Sequence, residues 1–181
     1  TKVSNGTMIR FNEGVGLISD NNRMDWSASL AGSSDVTIAI MGISALIEGE
    51  EGAAIKSDAN GDRNTISLPT NQIEYLRKLR KSAGDKPIVL VIKSGSAIDL
   101  SEISKYVDAI IYAWYLGEQG GNAIADVIFG DVNPSGKLPI TIPKSLSHLP
   151  YYSDYNMDNR TYKFTNHKPV SYTHLRAHET E

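Results

Sequence analysis

Three carboxylates fall within four residues in the string Ile47-Glu48-Gly49-Glu50-Glu51-Gly52. Like charges at that spacing repel, and the repulsion raises the pKa of at least one of them. A carboxyl group so raised holds its proton near neutrality and can pass it to a leaving oxygen, which is general acid chemistry. Arg63, in Gly61-Asp62-Arg63, is a counter-charge that can return to the same loop. The competing reading is a solvated acidic turn, the usual fate of a charge run. Position weighs against it, because the run closely follows an apolar stretch, Val36 to Met41, that reads as a buried strand.

The elements that must position these groups show in the apolar pattern. Asp35-Val36-Thr37-Ile38-Ala39-Ile40-Met41 is β-branched and nearly continuous, as in a strand covered on both faces. Leu68-Pro69-Thr70-Asn71-Gln72 opens a helix that Thr70 can cap, with Ile73, Leu76 and Leu79 following at helical spacing. A second strand is expected over 87–92, a short helix over 99–105 and a third strand over 107–114. Gly120-Gly121 leads into a helix over 122–129 with Ala123, Val127 and Ile128 turned inward. Leu138-Pro139-Ile140-Thr141-Ile142-Pro143 reads as a last short strand, placed at an edge by its prolines. Arg23-Met24-Asp25-Trp26 suits the start of a short helix. The alternation predicts a flavodoxin-like α/β sandwich: a mostly parallel sheet, helices on both faces, and an edge strand near the C-terminal end. Ligands in such sheets bind beyond the carboxyl ends of the strands. The acidic loop falls there, as do Ser94-Gly95-Ser96 and Trp114-Tyr115-Leu116-Gly117.

Bulk properties exclude several function classes. The chain has 181 residues, 40% of them hydrophobic, and a formal net charge of -3, which disfavours a nucleic acid partner. It has no cysteine, hence no disulfide and no cysteine metal site. Its longest apolar stretch, 36–47, is shorter than the roughly 20 residues that span a bilayer, so no membrane partner is expected. Gly130-Asp131-Val132-Asn133-Pro134-Ser135-Gly136-Lys137 looks like a phosphate loop and fails as one. Its glycines are too widely spaced, and Leu138 stands where a magnesium-binding hydroxyl is needed. Gly117-Glu118-Gln119-Gly120-Gly121 lacks dinucleotide-binding spacing. His174 and His178 are four apart, but they lie in 170–181, a string that resembles a translated sequencing adapter. It is set aside as an artefact, and no metal or other cofactor is expected.

Longer strings carry a family resemblance. Gly42-Ile43-Ser44-Ala45-Leu46-Ile47-Glu48-Gly49-Glu50-Glu51, Gly61-Asp62-Arg63 and Ile66-Ser67-Leu68-Pro69-Thr70-Asn71-Gln72 resemble the C-terminal α/β domain of glycoside hydrolase family 3. So do Ala113-Trp114-Tyr115-Leu116-Gly117-Glu118-Gln119-Gly120-Gly121 and the string from Ala125 to Pro139, running on to Pro143. The resemblance covers about 35–164, and its Glu-Gly-Glu-Glu form is similar to the β-glucosidase and β-xylosidase branch. It departs from the family pattern at Leu116, where proline is usual.

The resemblance implies a retaining, exo-acting β-glycosidase that hydrolyses terminal β-D-glycosyl residues with two carboxylates. An aspartate on an N-terminal (β/α)8 barrel, absent from this sequence, would be the nucleophile. A glutamate of the α/β domain would be the acid/base. Glu50 aligns best with it, and Glu51 and Glu48 stay open because an insertion, 51–60, separates Glu50 from Gly61-Asp62-Arg63. Asp62 and Arg63 would hold the loop, and Trp114 on the rim suits contact with a sugar. The implied partners are a β-linked oligosaccharide or glycoside and the barrel. Without the barrel the chain is expected to be inactive. The rival reading is a non-catalytic carbohydrate-binding α/β module. A periplasmic or secreted location follows only from the resemblance. The domain reading is 1–34 a linker or domain start, 35–150 the α/β domain, 151–169 an extended strap, and 170–181 the artefact.

Overall fold

A computed structural model describes residues 2–19, 24–49, 63–143, 145–151 and 153–159. Among them three strands form one parallel sheet in the order β1-β2-β3: β1 Thr37–Gly42, β2 Ile88–Lys93 and β3 Ala109–Tyr112. The helices are α1 Met24–Ser29, α2 Ala45–Glu48, α3 Thr70–Ala83 and α4 Gly120–Ile128. Thr37 pairs with Ile88 at one end of β1 and Gly42 with Lys93 at the other, so β1 and β2 end level. Ile92 pairs with Tyr112, which brings β3 to the same rim.

The sheet face that buries most is set by alternate residues. Ala39 and Met41 of β1 and Ile88, Leu90 and Ile92 of β2 join one cluster with Tyr75, Leu76 and Leu79 of α3. Those helical positions follow a spacing of three and four, which puts them on one stripe. Leu76 is wholly buried, and side chains of that kind contribute about 1.5–3 kcal/mol each. α1 packs on α3 and adds Ala28 to the cluster, so the expected short helix forms, extending to residue 29, and belongs to this layer. On the opposite face, Val91 is buried while its register partner Ile40 is exposed.

Five expectations are corrected. β1 is covered on one face only, since Ile38 and Ile40 on the other are exposed. Residues 138–143 form no strand. Pro139 and Pro143 lack the N–H that a ladder needs, although Ile142 is still buried. Thr70 is the first helical residue and not the cap; the carbonyl of Pro69 accepts from Gln72 (3.0 Å) and Ile73 (3.2 Å). The helix over 99–105 shrinks to one 3-10 turn, Ile103–Lys105. Asp99 accepts from the backbone N–H of Ser101 (2.8 Å) and from its hydroxyl (2.9 Å), a local turn that competes with helix formation. On α4, Ala123 is exposed, and the half-buried apolar residues are Ile124, Ala125, Val127 and Ile128.

Candidate functional site

Each strand delivers a loop to the same rim. After β1 the chain runs through Ile43 and Ser44 into the single turn of α2, which ends on Glu48. Gly49 follows with φ 70°, a left-handed conformation that glycine adopts without strain. After β2 comes the turn over 94–97. After β3 come Ala113, Trp114 and Tyr115.

The Glu48 carboxylate joins all three loops. Its Oε1 accepts from the Gly95 N–H (3.0 Å) and from the Ser96 hydroxyl (2.7 Å). Its Oε2 accepts from the Tyr115 hydroxyl (2.7 Å). Hydrogen bonds to a charged acceptor are the stronger kind. Burial, and then the contact with Glu48, push the Tyr115 phenol far above its ordinary pKa, so it stays a proton-bearing donor. Gly95 makes the approach possible: a Cβ there would lie 2.7 Å from a Tyr115 ring carbon and 2.9 Å from Glu48 Oε2.

The turn under Glu48 is itself braced. Ser94 is fully buried, and its hydroxyl donates to the Ser96 carbonyl (2.6 Å). The Tyr112 hydroxyl donates to the same carbonyl at 2.6 Å. Tyr112 also packs on Trp114, ring centroids 4.6 Å apart and tilted 55°. Trp114 has φ 56°, which costs a side-chain-bearing residue about 1–2 kcal/mol. The conformation is bounded on its N-terminal side by a bond from Ala113 N–H to the Ile92 carbonyl (2.8 Å).

Arg63 reaches the same turn from the far side of the acidic loop. Its Nε and Nη2 donate to the Thr65 carbonyl (2.9 and 2.7 Å), and Nη2 also donates to the Ala97 carbonyl (3.4 Å). Burial lowers the Arg63 pKa, and the charge of Glu48 opposes that shift. Its Nη1 is buried without a hydrogen-bond partner among the described residues.

Beside the rim lies a largely apolar cleft of about 530 Å³, lined by residues 15–17 and 40–45 with Gln72, Lys93 and Tyr115. Gln72 shapes its floor. The side-chain amide accepts from the Gly42 N–H (3.0 Å) and donates to the Gly42 carbonyl (2.7 Å) and the Leu17 carbonyl (2.8 Å).

Of the residues singled out by sequence, the structure gathers Glu48, Arg63 and Trp114 around the 94–97 turn. Glu50, Glu51 and Asp62 lie outside the described residues. Sequence reasoning placed Ser96 and Tyr115 on the rim without giving either a role, and it missed Gln72. Gln72 left a signal, a polar residue on the apolar stripe four positions before Leu76. Ser96 left none, since a serine in a turn is unremarkable by itself.

A parallel sheet with polar loops gathered at its strand ends defines an open-sheet α/β domain, a class in which ligands bind beyond the strand ends. Residues 6–174 match the glycosyl hydrolase family 3 C-terminal domain, and the chain belongs to that family. It is 48% identical over 124 residues to a xylan 1,4-beta-xylosidase of Xylanibacter ruminicola, covering 68% of this chain and 14% of that protein. It is 37% identical over 150 residues to a periplasmic beta-glucosidase of Salmonella typhimurium, covering 83% of this chain and 18% of the relative. The crystal structure of a family 3 beta-glucosidase from Bifidobacterium adolescentis superposes with a TM-score of 0.62 at 31% identity, over 80% of this chain and 19% of that one. The chain thus spans less than a fifth of the length of each of these proteins.

Proposed function

We propose that this chain supplies the acid/base glutamate of a retaining, exo-acting β-glycosidase acting on terminal β-xylosyl or β-glucosyl residues. The names of the relatives support the substrate class. The observation that carries the assignment within the acidic loop is the commitment of Glu48. Both of its oxygens accept hydrogen bonds from neighbouring loops, which leaves it acting as a frame. Glu50 is then the proton donor, with Glu51 the alternative.

The reaction runs in two balanced steps. Protonated Glu50 gives its proton to the glycosidic oxygen as the bond from C1 to that oxygen breaks. An aspartate of the barrel domain forms an ester to C1. The Glu50 carboxylate then takes a proton from water as that water attacks C1 and releases the aspartate. Arg63 and Asp62 hold the loop, and Trp114 lies on the sugar-facing rim. The barrel is the required partner, and this chain alone has no turnover because it lacks the nucleophile. A periplasmic or secreted location is in keeping with the name of the Salmonella relative.

The test is Glu50→Gln in the full-length enzyme. General acid catalysis is worth about 10² to 10⁴-fold, so turnover of a β-linked disaccharide falls by that much. A dinitrophenyl glycoside, whose leaving group needs no proton, is largely spared. Unchanged disaccharide turnover removes Glu50 from the role. Sugar binding by a full-length protein that shows no turnover at all would favour the carbohydrate-binding module.

A further inference from the structure

The two described residues that flank the acidic loop are tied to one turn. Glu48, at its entrance, bonds Gly95 and Ser96. Arg63, at its exit, donates to Ala97. The turn they share is fixed from beneath by buried Ser94 and from the side by Tyr112. Tyr115 closes the opposite flank of Glu48 from the loop after β3. Ends tied to one support limit the conformations open to the chain that joins them, and catalysis gains when a reactive group is positioned in advance.

We propose that Glu48 and Tyr115 are positioning residues for proton transfer: they clamp the acidic loop to the 94–97 turn and so set where its proton donor stands. This rests on the reading of Glu50 given above. Neither residue needs to touch the sugar. Glu48 acts through the chain that leaves it at Gly49, and Tyr115 acts through Glu48. A purely structural role would lower stability and activity together for every substrate. A positioning role falls on the step that needs the proton.

The experiment uses the full-length enzyme with Tyr115→Phe, Glu48→Gln and Glu50→Gln. Values of kcat and KM are measured on aryl glycosides whose phenols run from strongly to weakly acidic, together with the thermal midpoint. Misplacement by about 1 Å costs on the order of 10²-fold. Tyr115→Phe removes one of the three clamp bonds. It should lower kcat on the phenyl glycoside about 10-fold and on the dinitrophenyl glycoside less than about 3-fold, with KM within about 2-fold. Glu48→Gln should lose about 10²-fold on the phenyl glycoside, and adding it to Glu50→Gln should cost little more, because both act on one proton transfer.

A loss equal for all leaving groups, or none, in Tyr115→Phe overturns the proposal when Glu50→Gln shows its own leaving-group dependence. If Glu50→Gln is itself flat across the series, the reading of Glu50 fails and the clamp proposal falls with it. Should Glu48→Gln fail to fold, Tyr115→Phe still decides, since its ring lies at the surface and only a hydroxyl is removed.

Discussion

Replacing Gln72 tests whether the rim is held by side-chain hydrogen bonds or by packing alone. Gln72 is 2% exposed and lies on the buried stripe of α3. Its amide satisfies both backbone groups of Gly42, the last residue of β1, and the carbonyl of Leu17. It stands in for the strand that β1 lacks on that side. Gln72→Leu keeps the volume and removes every partner. Leaving a buried polar group unpaired costs about 1–3 kcal/mol, so the two Gly42 groups alone predict about 2–6 kcal/mol. The added apolar burial returns about 1 kcal/mol of that. Domain stabilities are about 5–15 kcal/mol, so the loss is a large share. Equilibrium urea unfolding followed by far-UV circular dichroism reads it as a midpoint lower by about 1–3 M. Gln72→Glu adds a check of sign. Its carboxyl would face the Gly42 and Leu17 carbonyls; the protonated form can donate to one of them and the ionised form to neither. The folded pKa is then raised above the unfolded value of about 4.3. Such a group is least costly below that unfolded value, and its penalty grows as pH rises through the folded pKa. The gap between wild type and Gln72→Glu should therefore widen from pH 4 to pH 7. A Gln72→Leu loss under about 0.5 kcal/mol, within the range of an inert surface change, would refute the account, as would a Gln72→Glu gap independent of pH.

Gly42→Ala should cost at least about 3 kcal/mol, read by the same urea midpoint, and a loss under 1 kcal/mol would contradict the geometry. Gly42 has φ 148°, and an added Cβ would lie 1.8 Å from the Lys93 carbonyl oxygen, where only backbone movement could make room. Asp108→Asn should cost about 0.5–1 kcal/mol at pH 7, the small value reflecting a half-exposed, screened side chain. The Ile88 N–H (2.7 Å) and the Arg80 guanidinium hold the Asp108 carboxyl below its ordinary pKa. A depressed pKa stabilises above the unfolded value of about 3.9 and loses that contribution as pH falls through the folded pKa. Stability curves of wild type and variant should therefore converge in acid, and parallel curves down to pH 2 would count against the assignment.

The sheet could be read from residues whose environment is dictated by their own type. A run such as Ile88-Val89-Leu90-Val91-Ile92 has little choice but a buried strand, and Leu76 and Leu79 make sense only on a helix stripe. Where the reading failed, a local polar bond or a missing donor had overridden the pattern. Asp99 captured Ser101 and shortened a helix. Pro139 and Pro143 removed the N–H groups that a last strand would have needed. Thr70 looked like a cap by type, but the Pro69 carbonyl took the first helical donors instead.

The site divided along the same line. Charge density marked the acidic loop and Arg63 from composition alone, because clustered like charges are rare enough to need a reason. What composition could not say is which carboxylate is structural. That depends on donors 47, 48 and 67 residues away in the chain: the Gly95 amide, the Ser96 hydroxyl and the Tyr115 hydroxyl. A carboxylate whose two oxygens accept from three donors on two neighbouring loops is tied in place by those bonds. It is therefore poorly suited to carry a proton to a substrate and well suited to fix a backbone. On the function proposed above, two carboxylates two residues apart take opposite tasks, Glu48 bound into the rim and Glu50 left for the reaction.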